Sequence, residues 1–116
     1  MKRLIITNNP IVCNRVSSDF LVFEETSYLG ILKLVRDRIH LGYKLLTHPL
    51  VGSVKPGETP YRTVVLNDKE GELDHESLLL IESAIETCMK FKEKKWNERI
   101  LADLQLIDCD LIFGKN

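Results

Sequence analysis

The residue pattern predicts an α/β fold: a single domain with an at least partly parallel sheet of about five strands and flanking helices. Three observations lead there. Strand-like and helix-like segments alternate through the first half of the chain, the order expected of a sheet with crossover helices. From Tyr28 to Leu41, apolar residues fall at Tyr28, Leu32, Val35 and Ile39, which is the spacing of one helix face. A chain of 116 residues, 44% hydrophobic and 28% charged, is long enough for one core without staples.

Each element has a local reason. Arg3 to Thr7 (RLIIT) is a short apolar, β-branched run and reads as a buried strand. It stops at Asn8-Asn9-Pro10, where Asn9 can cap a helix and Pro10 suits its first position, so a short helix to about Val16 is expected. Phe20 to Phe23 is the second strand. The Tyr28–Leu41 helix follows, with Gly42 placed for a left-handed C-terminal cap. Tyr43 to Thr47 is expected as a third strand and Tyr61 to Leu66 as a fourth. Asp74 is placed to cap the longest helix, whose stripe is Leu78, Ile81, Ile85, Cys88 and Met89. Trp96 to Leu104 reads as a further helical stretch after a break. Leu106 to Phe113 alternates loosely around Asp108 and Asp110 and is expected as the fifth strand.

Composition excludes several classes. Sixteen basic and seventeen acidic residues give a formal net charge of −1, so nothing draws the whole chain to nucleic acid or anionic membrane. No apolar run approaches the ~20 residues of a membrane span. Met1 to Pro10 lacks the apolar stretch and cleavage site of a signal peptide, so a cytoplasmic location is expected. Cys13, Cys88 and Cys109 are odd in number and lack metal-ligand spacing. They read as free structural thiols, and neither a metal nor a cofactor is expected.

The segment from Lys44 to Thr63 is the least generic part of the chain. It holds Pro49, Pro56 and Pro60, three of the four prolines, together with Gly52 and Gly57. A connection of about a dozen residues without secondary structure is usually functional or disordered. Prolines restrict their own backbone and that of the preceding residue, so this loop loses little entropy on ordering. Ligands in open α/β sheets bind beyond the carboxyl ends of the strands. On this reading that edge gathers Thr7, Asn8 and Asn9 after the first strand, Glu24 and Glu25 after the second, and Thr47, His48 and Ser53 after the third. His48 is the acid–base candidate, because its ordinary pKa lies near neutrality; the plainer reading is a ring packed beside Pro49 with a backbone hydrogen bond. Ser53 and Lys55 could cradle a phosphate or carboxylate; the plainer reading is a solvated Pro-Gly turn. The phosphate-loop and nucleophile-elbow patterns are both absent. Glu24 and Glu25 would point to opposite faces of a strand. Asp108 and Asp110 would share a face, most simply as a solvated strand edge. The Lys90–Arg99 run reads as a solvated helix face.

Three stretches carry a family resemblance. LIITNNP, SYLGILKLVRDRIH and GYKLLTHPLVGSVKPGETPY resemble the GrdX family, from Arg3 to about Leu66 and more loosely beyond. The resemblance implies a protein encoded beside the glycine, sarcosine and betaine reductase complexes of amino-acid-fermenting anaerobes. It brings a setting of selenium-dependent reductive deamination yielding acyl phosphate, and no catalytic residues. The leading expectation is therefore an accessory protein that binds a reductase-complex component or a small acidic ligand. The alternative is a small enzyme acting on an anionic metabolite at the Thr47–Lys55 loop, with His48 as acid–base and Asn8, Asn9, Thr47, Ser53 and Lys55 as ligand contacts. A third option is a structural domain whose loop mediates self-association.

Overall fold

The computed structural model describes residues 3–16, 20–50, 55–92 and 94–114. Among the described residues, three strands and three helices make up the fold: β1 (Leu4–Thr7), β2 (Phe20–Phe23), α1 (Tyr28–His40), β3 (Thr63–Leu66), α2 (His75–Met89) and α3 (Glu98–Phe113). The sheet order is β2-β1-β3. β1 runs parallel to β2, with Leu4 opposite Phe20, and antiparallel to β3, with Thr7 opposite Thr63. The α/β class and the partly parallel sheet therefore hold, but among the described residues the sheet has three strands rather than five.

The two missing strands have different causes. Tyr43 to Thr47 lies along β3 but makes a single bridge, Leu45 to Leu66. Side chains interrupt the ladder there. The Lys44 N–H donates to Asn67 Oδ1 at 3.0 Å, and the Val65 N–H donates to Thr47 Oγ1 at 3.1 Å, each instead of to the carbonyl of its paired residue. Leu106 to Phe113, in contrast, is the second half of α3. Leu101, Leu104, Gln105, Asp108, Cys109 and Ile112 are all buried or half-buried, a helical spacing of three and four, and Asp110 and Phe113 flank that stripe half-buried. The period was obscured because a carboxylate sits in the middle of the inward stripe. Asn97 caps this helix by accepting from the Ile100 N–H at 2.9 Å, and Gly114 ends it at φ 76°.

Several local expectations are met. Asn9 caps a 3-10 turn at Pro10–Asn14, shorter than the helix expected to Val16. Asp74 caps α2, with the Ser77 N–H donating to Oδ2 at 3.1 Å. Gly42, at φ 102°, ends α1.

Strand alternation divides the core in two. Leu4, Ile6, Val64 and Leu66 face α1 and α2, where they meet Ile31, Leu32, Val35, Ile39, Ile81 and Ile85. Ile5 and Val65 face the opposite way, against Val12 of the 3-10 turn and Cys109 of α3. Because alternate residues share a face, Thr7 and Thr63 point with Ile5 and Val65 toward α3. That parity brings the end of β1 to Asp108. No helix of the described residues is long and apolar enough to cross a membrane.

Candidate functional site

Asp108 is the centre of a buried polar cluster under the carboxyl end of β1. Its side chain and that of Arg62 are each 3% exposed, and Arg62 Nη2 lies 3.2 Å from Asp108 Oδ1. The Thr63 N–H donates to the same oxygen at 3.1 Å. Oδ2 accepts from Asn9 Nδ2 at 3.0 Å and from the Thr63 hydroxyl at 2.7 Å. Since the Thr63 proton goes to the carboxylate, the Thr7 hydroxyl is the donor in its 2.7 Å contact with Thr63 Oγ1. Thr7 Oγ1 in turn accepts from the Asn9 N–H at 2.9 Å. Four donors on one carboxylate offset the desolvation that burial imposes. An oxygen pair so occupied is held in place. The cluster is a fastening between β1, β3 and α3.

Asn8 fastens the neighbouring loops. Its Nδ2 donates to the carbonyls of Thr26 at 2.8 Å and Pro60 at 2.7 Å, while Oδ1 accepts from the Arg62 N–H at 2.9 Å. One side chain thus joins the segments that follow β1, follow β2 and precede β3. Arg62 also reaches Tyr28, with Nη1 3.4 Å from the hydroxyl and its guanidinium carbon 5.7 Å from the ring centroid. Burial pushes the Tyr28 hydroxyl above its ordinary pKa of 10.0, against the opposing pull of the Arg62 charge.

Two clefts open around these fastenings. The first, of about 600 Å³, lies at the carboxyl ends of β1 and β2. Asn8 and Pro10 line it after β1, Glu25 and Thr26 after β2, and Pro60 and Tyr61 before β3. Lys94, Lys95 and Trp96, from the connection between α2 and α3, complete it. The second, of about 530 Å³, lies between the start of α1, the Pro56–Glu58 turn and the end of α2. Pro60, Lys94 and Trp96 line both. Among the described lining residues, Glu25 is the one carboxylate in the first cleft and none lines the second. The chemistry available is recognition of negative charge beside aromatic and apolar walls.

The residues singled out from sequence are distributed differently. Asn8 and Asn9 lie at the expected edge, 7% and 0% exposed, with their amides engaged in the bonds above. Thr47 Oγ1 is engaged with the Val65 N–H. His48 is exposed, and its Nδ1 accepts from the Leu50 N–H at 3.0 Å. Lys55 is exposed at the start of the Pro56–Glu58 turn. Ser53 lies outside the described residues. Among the described residues no hydrogen bond or salt bridge joins His48 or Lys55 to Asn8 or Asn9, and neither lines the two clefts. Glu24 and Glu25 are both exposed, and only Glu25 reaches the first cleft. Cys13 is exposed; Cys88 and Cys109 are buried, and all three are free.

Sequence reading missed Lys94, Lys95 and Trp96. The signal was present, because the sole tryptophan closes a lysine-rich run (Lys90, Lys92, Lys94, Lys95) that follows the end of α2 at Met89. It also missed Asp108 as Arg62's partner, for which no local signal exists. A family model described as GrdX-like protein matches residues 4–115. No curated protein and no solved structure matches the chain.

Proposed function

The chain belongs to the GrdX-like family, and from that premise we propose that it is an accessory protein of a glycine-, sarcosine- or betaine-reductase-type system. It acts by binding a component of that system or a small acidic ligand, rather than by catalysing the main reaction. Family membership points to the association with glycine-reductase-type systems. The binding reading rests on the first cleft, where Lys94, Lys95 and Trp96 line the edge pinned by Asn8 together with one described carboxylate, Glu25. A cleft of this charge attracts anions, and its aromatic walls limit the competition from water. Neither a histidine nor a thiol is among its described lining residues, which favours recognition over acid–base or nucleophilic chemistry.

Titration calorimetry with acetyl phosphate, inorganic phosphate and glycine betaine tests this on the wild type and on Lys95→Ala and Lys55→Ala variants. The acidic ligands are expected to bind, and Lys95→Ala to weaken them about tenfold through loss of a charge-assisted contact. Zwitterionic betaine is expected to bind more weakly. Loss confined to Lys55→Ala would move the ligand to the Thr47–Lys55 loop and favour a small enzyme using His48, Ser53 and Lys55.

A further inference from the structure

We propose that the second cleft binds an apolar-tailed monocarboxylate, an aromatic or aliphatic acid, beside the anion cleft with which it shares Pro60, Lys94 and Trp96. Its volume of about 530 Å³ falls within the usual range for small-molecule sites, about 300–1,000 Å³. Its walls are mostly apolar: Tyr28 and Leu29 from the start of α1, Pro56 from the turn, Met89 from the end of α2, then Phe91 and Trp96. Lys92 and Lys94 are its charged lining residues. Apolar walls with ammonium groups and no described carboxylate select a ligand with one negative end and a hydrophobic body. A phosphate would lose hydration against those walls and gain little.

One wall is built with close tolerance. Gly57 is buried, and a Cβ added there would meet Phe91 Cδ1 at 2.8 Å. The missing side chain lets the Phe91 ring lie directly on the backbone of the Pro56–Glu58 turn. Phe91 is nevertheless 40% exposed, so part of the ring remains free to meet a ligand. An aromatic ring packed on one side and open on the other is a contact surface whose position is already fixed, which reduces the entropy lost on binding.

The lysines make the two clefts separable by experiment. Lys92 lines the second cleft and Lys95 the first, while Lys94 lines both. Trp96, the sole tryptophan, lines both and reports on each by its emission. Phenylacetate, its neutral analogue 2-phenylethanol and inorganic phosphate are titrated against wild type and Phe91→Ala, Lys92→Glu and Lys95→Glu variants. Emission and calorimetry are read together, and urea midpoints serve as the folding control. Phenylacetate is expected to bind saturably with a submillimolar Kd, and 2-phenylethanol at least about tenfold more weakly. Phe91→Ala and Lys92→Glu should each weaken phenylacetate by about tenfold, with Lys95→Glu leaving it unchanged. Three results would overturn the assignment: no saturation at several millimolar, equal affinity for the neutral alcohol, or weakening by Lys95→Glu but not by Lys92→Glu. Phosphate bound normally by the Phe91 and Lys92 variants would leave the anion cleft standing whichever way phenylacetate behaves.

Discussion

Replacing Asp108 by Ala should be among the most damaging single changes in this protein. The carboxylate is 3% exposed, accepts from Arg62, Asn9 and both the N–H and hydroxyl of Thr63, and lies 3.2 Å from the equally buried Arg62 guanidinium. Removing one partner of a buried ion pair costs about 3–5 kcal/mol, because the other charge is left in a low-dielectric interior. A domain of this size is stable by about 5–15 kcal/mol, so the loss is a large share of the whole. At roughly 4 °C per kcal/mol, the midpoint of thermal unfolding should fall by about 12–20 °C. Asp108→Asn should cost nearly as much despite its matching shape, since it removes the charge facing Arg62 and turns an NH2 toward existing donors. Urea unfolding of wild type, Asp108→Ala, Arg62→Met and the double variant closes a thermodynamic cycle. The double variant should cost less than the two single changes added together, by at least about 1 kcal/mol. Additive costs, or an Asp108→Asn variant within about 0.5 kcal/mol of wild type, would refute the cluster's role.

Gly42→Ala should cost about 2 kcal/mol or more in urea unfolding, because φ is 102° and the new methyl would run into the backbone of Gly71. Gly71→Ala, whose added Cβ meets nothing within 4 Å, should stay within about 0.5 kcal/mol of wild type. Stability should also decline in alkali. Burial raises the Cys109 thiol above 9.0 and the Tyr28 hydroxyl above 10.0, so the folded state keeps those protons longer than the unfolded state does. Their contribution is full below the ordinary values and is lost as pH rises through the raised ones. Urea midpoints from pH 7 to pH 10.5 should therefore fall, with a shallower slope in Cys109→Ala. A flat profile would contradict the assignment.

What the sequence determined by itself was local. The Asn9, Asp74 and Gly42 end signals and the stripe of α1 involve residues within a few positions of one another, so their physics is written in adjacent letters. The β1 and β2 strands were legible because short β-branched and aromatic runs have few alternatives. The family was legible because three quoted motifs are distinctive, although they assign no site residue. Tertiary structure alone decided the rest. Whether Tyr43–Thr47 becomes a strand depends on the side chains of Asn67 and Thr47 taking hydrogen bonds that a ladder would use. Whether Leu106–Phe113 is strand or helix depends on Asp108 being inside, and that depends on Arg62, 46 residues away, and Asn9, 99 residues away. The clefts have the same origin: Lys94, Lys95 and Trp96 look like a solvated run until folding sets them over Asn8 and Pro60. Burial cancels a charge's preference for water only when a partner arrives, and the partner here is supplied by chain segments that sequence proximity never joins.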